Sequence, residues 1–156
     1  MASRRDQIVL SDDEIAAYFA EAKTLIVATN GPRGLPHVMP LWFVMRGTEP
    51  WGWTFAKSQK AKNLERDPRA TVLIEDGISY EALRGVMIET EVELIHDQAQ
   101  IRELAVELFT RYLNIEGEPP QGVLDMIDAQ APKRVVLHFK PVRYVSWDHS
   151  KLGGTY

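Results

Sequence analysis

The densest chemistry in the sequence lies in Thr54 to Pro68 (TFAKSQKAKNLERDP), where a strand-like run gives way to a helical one that ends at the Asp67-Pro68 pair. Lys57, Lys60 and Lys62 crowd the start of that helix. Cations at a helix N-terminus oppose the macrodipole, each at a cost of roughly a few tenths of a kcal/mol. An anionic ligand removes the conflict. Ser58 can cap the helix, and the first-turn backbone N–H groups together with the lysine ammoniums make a phosphate site. A solvated lysine face on a surface helix accounts for the same residues equally well.

A second candidate is His37-Val38-Met39-Pro40-Leu41-Trp42, where a proline inside an apolar run leaves backbone groups outside any regular ladder. A flat heterocycle with carbonyl and ring-nitrogen edges can partner those groups, with Val38 and Met39 against its face. The competing reading is an edge strand with a bulge. Trp51, Trp53, Tyr80, Tyr144 and Trp147 can line an aromatic pocket, although β spacing favours core positions for them. His37, His96, His138 and His149 have no metal-ligand spacing, so no metal is expected. The nucleophile-elbow, Walker and dinucleotide fingerprints do not occur. Arg84-Gly85 reads as a possible bulge.

These residues need a scaffold. Ser11 and Glu14 form a capping box for a short amphipathic helix over 11 to about 22, expected to act as an amino-terminal lid. Strands are expected over TLIVAT (24–29), over 35–45 with an irregular middle, and over 51–55 after a turn at 46–50. A fourth follows over 69–75, and a long one with a wet face over 83–95. Asp97 should cap the strongest helix, with Ile101, Leu104, Ala105, Leu108, Phe109, Tyr112 and Leu113 on its inner face; Pro119 to Gln130 forms a shorter one. Two further strands follow, over 133–140 and 142–147. Six or seven strands without β-α-β alternation imply an antiparallel barrel or sandwich with helices packed outside, an α+β arrangement.

The chain has 156 residues, which suits a single domain over 1–156, and its formal charge of −4 is the opposite of a nucleic-acid binder's. It has no cysteine, which excludes thiolate nucleophiles, zinc fingers and iron–sulfur clusters and fits a cytoplasmic location. The first residues lack the apolar run of a signal peptide, and nothing approaches a membrane span of ~18 apolar residues. Neither a membrane nor nucleic acid is expected as a partner.

Taken together, TLIVAT, the G-x-P-x-x-x-P pattern Gly34 to Pro40, the T-x-x-x-S-x-K pattern Thr54 to Lys60 and the K-N-L-x-x-D-P-R run from Lys62 to Arg69 resemble the pyridoxamine 5′-phosphate oxidase-like FMN-binding split-barrel superfamily. The resemblance implies a six-stranded antiparallel split barrel that forms a homodimer, with cofactors at the interface. By position it implies that Lys60, Ser58 and Lys57 hold the cofactor phosphate, with Asn63 nearby and Thr54 opening the motif. Val38, Met39 and Pro40 would flank the ring through their backbone, and Tyr80 would reach the cofactor from the partner chain.

The run KNLERDPRATVLIEDGISYEALRG is more similar to the branch that binds the deazaflavin coenzyme F420, whose phosphate and glutamate tail suit a lysine-rich groove. FMN is the alternative cofactor. The ending VSWDHSKLGGTY lacks the arginine-rich substrate-phosphate pattern of the vitamin-processing oxidases, so the resemblance does not extend to that activity. With the deazaflavin the expected reaction is hydride transfer to a conjugated small molecule. With FMN it is that of a flavin reductase or oxidase, and a non-catalytic cofactor carrier or sensor is the reading from another class. Tyr80, His37 and His149 are the candidate acid–base groups, and none has a sequence context that makes it catalytic.

Overall fold

The computed structural model describes residues 3–153. After a single helical turn, α1 (Arg4–Gln7), comes α2 (Asp12–Glu21); then β1 (Leu25–Asn30), β2 (Pro36–Leu41), β3 (Phe43–Arg46) and β4 (Glu49–Phe55). The order continues with α3 (Gln59–Arg66), β5 (Arg69–Asp76), β6 (Arg84–Ile95), α4 (Gln98–Leu113), α5 (Gln121–Gln130) and β7 (Arg134–Asp148).

All pairings are antiparallel, in the order β2-β1-β5-β6-β7-β4-β3. The two edge strands, β2 and β3, are consecutive in the chain and separated only by Trp42. One residue cannot bridge a flat sheet of seven strands spaced ~4.8 Å apart, so the sheet must curl until its edges approach. That curl is the split barrel. Seven strands are present where the resemblance implies six, because the apolar run 35–45 breaks at Trp42. Before it the chain pairs with β1, and after it with β4. The expected strands 133–140 and 142–147 are instead one continuous strand, β7. Its register shifts opposite Glu89 and Thr90, where Pro141 and Arg143 are paired and Val142 is bulged out.

Inside the curl, alternate residues of β1, β5, β6 and β7 meet: Leu25 and Val27, Val72 and Ile74, Val86 and Ile88, Leu137 and Phe139, closed by Phe43. The outer side of β4 and β7 is covered by α4, whose Ile101, Leu104 and Leu108 pack on Trp53, Val44 and Val136. Asp97 caps α4 as expected, accepting from the Gln100 N–H at 2.9 Å.

Ser11 and Glu14 form the expected capping box of α2, but α2 is not a lid. Tyr18 and Phe19 are buried, and Phe19 meets Phe43 edge-on at 5.9 Å. Arg111 of α4 then ties down the end of α2 by donating to the carbonyls of Phe19, Ala20 and Ala22 at 3.0, 3.1 and 2.6 Å. Gly85 is no bulge either. It pairs in register with Glu75 and Trp147, and its role is close approach: a Cβ there would lie 2.2 Å from the Trp147 ring. Among the described residues no helix is long and apolar enough to cross a membrane.

Candidate cofactor-phosphate site

The Thr54 to Pro68 stretch folds as its sequence suggests. Thr54 is the penultimate residue of β4, a turn follows in which the Ser58 N–H donates to the Phe55 carbonyl at 2.9 Å, and α3 begins at Gln59. Ser58 is the N-cap, its Oγ accepting from the Ala61 N–H at 3.2 Å and lying 3.2 Å from Thr54 Oγ1. Thr54 is buried and therefore acts by orienting Ser58. The Ala61 amide is spent on the cap and the Lys62 amide on the Ser58 carbonyl at 3.1 Å. The Gln59 and Lys60 amides are left as the orphan donors of the first turn.

Lys60 is the unusual member. It is 5% exposed, and among the described residues no carboxylate stands within ion-pair distance of it. Burial alone pushes its ammonium down to about 8 from 10.5. Lys57 is exposed. Lys62 is also exposed and is spent on Glu65, 3.2 Å away, one turn on.

Asn63 is fully buried and committed inside the protein. Its Nδ2 donates to Thr29 Oγ1 at 3.0 Å, and its Oδ1 accepts from Gln59 Nε2 at 2.8 Å. It pins α3 to β1. Farther along the helix, Arg66 donates to the Asn30 carbonyl, while Asn30 Nδ2 donates to Asp67 at 2.9 Å. Arg69, 2.7 Å from Asp67, holds that carboxyl well below the usual range. Gln59 and Thr29 are thus site-building residues that the motif did not flag. Their contribution depends on β1 and α3 touching, which no local spacing reports.

Val38, Met39 and Pro40 lie on β2, an edge strand without a bulge: its register with β1 is continuous from Leu25↔Leu41 to Asn30↔Pro36. Prolines cannot donate to a ladder, so Pro36 and Pro40, at one parity, sit toward the open edge. Val38 shares that parity, and its N–H and C=O are directed at the same edge. Val38 and Met39 are 53% and 46% exposed. Next to them, His37 has a buried Nδ1 with no partner and lines a cavity of about 210 Å³ with Arg33, Leu35 and Gln59. The start of α3 and the beginning of β2 therefore share one concavity.

Tyr80 is elsewhere. It opens the turn between β5 and β6, and α3 precedes the opposite end of β5, whose eight residues span roughly 24 Å. There Tyr80 is half-exposed, its ring 4.6 Å from that of His149, whose Nδ1 is 2.9 Å from the Tyr80 carbonyl. Of the three acid–base candidates, only His37 shares a strand with Val38, Met39 and Pro40. The five aromatic residues line no single pocket. Trp53 is core, Trp51 stacks on His138 at 3.8 Å, Trp147 covers Gly85, and Tyr144 binds the Thr48 carbonyl at 2.9 Å.

Several comparisons bear on this geometry. The chain matches a crystal structure of the conserved hypothetical protein Rv2991 from Mycobacterium tuberculosis at 38% identity and a TM-score of 0.87, over 99% of this chain and 95% of that one. A structure named F420 reductase matches at 22% identity and a TM-score of 0.66, covering 87% of this chain and 98% of that one. HutZ, the heme storage protein of Vibrio cholerae, matches at 16% and 0.68, over 89% and 97%. These last two likenesses are of fold. No curated protein matches. The family model for pyridoxamine 5′-phosphate oxidase aligns with residues 11–148, which takes in α2, the whole curled sheet and the Ser58–Lys60 turn. On that match, spanning the sheet and the anion-ready helix start together, the chain belongs to the pyridoxamine 5′-phosphate oxidase family.

Proposed function

We propose that this protein is an oxidoreductase that binds coenzyme F420 as a homodimer, with FMN as the alternative cofactor. The observation that carries the reading is Lys60. A lysine taken out of water beside a helix N-terminus, with no acid to meet it, costs folding free energy that a bound phosphate anion returns. Lys60 Nζ, the Gln59 and Lys60 amides and the Ser58 hydroxyl would hold the phosphate, with Lys57 adding charge from solvent. Asn63 and Thr54 would act one step removed, the first by fixing α3 on β1 and the second by fixing Ser58. The open-edge groups of Val38 and Pro40 would meet the polar edge of the ring.

When bound, a reduced deazaflavin supplies a hydride to a conjugated acceptor. The protein's part is to orient and to keep water out, and both call for a second protomer. Val38 and Met39 leave the ring-flanking strand open to solvent in a single chain, and Tyr80 can reach that strand only from another copy. Dimerisation through this face would cover the first and deliver the second. His37, beside Val38, is the group placed to hold a proton near the ring edge. F420 is preferred over FMN because of the Lys62 to Gly85 resemblance, and the likeness to the structure named F420 reductase is in keeping with it.

The test is a pair of fluorescence titrations of the purified protein with F420 and with FMN, at matched salt and with sedimentation of the complexes. F420 binding at least tenfold tighter, by a dimer, supports the proposal. Tighter FMN binding replaces the cofactor, and binding of neither by a folded protein rejects the reading. A carrier or sensor is separated from an enzyme by turnover: tight binding without oxidation of the reduced cofactor by enones, quinones or tetrapyrroles favours the carrier.

A further inference from the structure

The net charge is −4, and among the described residues eight Lys and Arg side chains meet an acid, Arg46, Lys62 and Lys151 among them. Arg69 meets Asp67, Arg84 Asp76, Arg102 Asp128, Lys140 Glu93 and Arg143 Glu89. Four of those outside these ion pairs stand together where β4 runs into α3. Besides Lys57 and Lys60 they include Lys133 and Arg134, brought there by the β4–β7 ladder. Arg134 is the register partner of Phe55, and the Ala56 N–H donates to the Lys133 carbonyl at 2.9 Å.

Arg134 is built into its position. Its guanidinium carbon lies 3.6 Å from the Phe55 ring centroid and 4.7 Å from that of Trp53, and Nη2 donates to Gln130 Oε1 at 3.2 Å. Its Nε is buried without a partner, and none of the described carboxylates is in ion-pair contact with it. Phe55, over which it stacks, is 47% exposed. Two aromatic rings and an amide thus hold a planar cation at the edge of the phosphate turn with hydrogen-bonding capacity to spare. A surface arginine serving only solubility needs no such support.

One phosphate at Ser58 and Lys60 accounts for the start of α3 but not for Lys133, which ends the turn before β7, or for Arg134, which opens β7. We infer that Lys133 and Arg134 form a second anion subsite. It takes a ligand that carries a further carboxylate or phosphate beyond the one at Ser58. The inference rests on the cofactor reading above only for the identity of the ligand. It adds a requirement to that reading, because a ligand with two separated anionic groups uses both subsites and one with a single terminal phosphate uses only the first.

The experiment compares wild-type protein with Lys133→Gln and Arg134→Gln in fluorescence titrations with F420 and FMN at matched salt. Inorganic orthophosphate and tripolyphosphate are tested alongside in thermal-protection assays. Each variant should weaken F420 by about tenfold, the loss of one charge-assisted contact, and FMN by less than about twofold. Arg134→Lys should recover only part of the loss, because an ammonium has neither the fork nor the stacking plane. Equal weakening of the two ligands, or of neither, overturns the second subsite and leaves the cofactor reading intact. If wild-type protein binds neither F420 nor FMN, the cofactor reading falls. The subsite then stands only if tripolyphosphate protects the wild type more than orthophosphate does and Lys133→Gln abolishes the difference. Lys133 is exposed, so its variant decides the matter even if Arg134→Gln disturbs the packing on Trp53.

Discussion

Lys60 and His138 are both bases that folding removes from water, at 5% and 9% exposure, and the protein treats them in opposite ways. His138 Nε2 lies 2.5 Å from a Glu49 oxygen and Nδ1 lies 3.5 Å from Glu93. Glu93 is in turn 2.7 Å from Lys140, and the Trp51 ring stacks on the imidazole at 3.8 Å. Every polar atom of that ring has company. Lys60 has a helix start, a capping serine and no acid. The fold completes the first arrangement from its own residues and leaves the second to be completed from outside. A buried ionisable group is therefore informative less for its burial than for whether the chain supplies its partner.

The sharpest way to break that contrast is to replace Lys60. Lys60→Met keeps the volume and removes the uncompensated charge, so at pH 7 the folded protein should gain up to roughly 3 kcal/mol, read from the urea midpoint, while phosphate-bearing ligands bind at least about tenfold more weakly. The wild type should show the matching pH dependence. Between about 8 and 10.5 the unfolded chain holds a proton on this lysine that the folded chain has released. Stability therefore rises with pH through that window, by up to roughly 3 kcal/mol, and is flat there in the variant. A variant that is less stable than wild type at pH 7 would show that Lys60 has an internal partner.

The same group predicts how binding responds to pH. A bound phosphate anion raises the Lys60 value above its free value of about 8. Affinity for a phosphorylated ligand is then fully present below pH 8 and declines as pH rises through it. A pH-independent dissociation constant between 7 and 9.5 would remove Lys60 from the site.

Next in size is Asn63→Ala, which strands the Thr29 hydroxyl and frees α3 from β1. It should cost about 2–3 kcal/mol of stability and weaken the ligand only through the loosened helix. His138→Phe keeps a ring on Trp51 but drops both carboxylate contacts. Because the Glu49 and Glu93 side chains are 38% and 50% exposed and can rehydrate, the cost should be about 1 kcal/mol, with ligand affinity unchanged. The smallest effect is expected from Lys62→Gln. Its pair with Glu65 is exposed, so stability should change by less than about 0.5 kcal/mol and binding not at all, despite its place in the lysine run.

Much of the scaffold was legible because it is written in local patterns. The capping box at Ser11, the N-cap at Asp97, the 3–4 spacing of α4 and the turn chemistry at Asp67-Pro68 depend on residues a few positions apart. What misled was pairing. The run 35–45 reads as one irregular strand, and only the change of partner at Trp42 divides it into two regular ones. Pro141 reads as a strand end, but a bulge carries β7 past it. The helix 12–21 reads as a lid because its apolar face gives no hint that Phe43, far along the chain, will close over Phe19. Asn63 reads as a ligand-facing residue within a motif, whereas Thr29 and Gln59 take up its hydrogen bonds.

The sequence by itself determined the residue types at the helix start, three lysines and a capping serine with no acid among them, and so the sign of the charge the site can take. It also determined the family, through motifs each confined to a short segment. The tertiary structure alone decided which of those lysines is dry, which is spent on a neighbour and which polar residues serve the fold. It also brought Arg134 from the far end of the chain to the edge of the phosphate turn. Burial and pairing are properties of contacts between segments, and the β4–β7 register that sets Arg134 against Phe55 exists only once the sheet has curled.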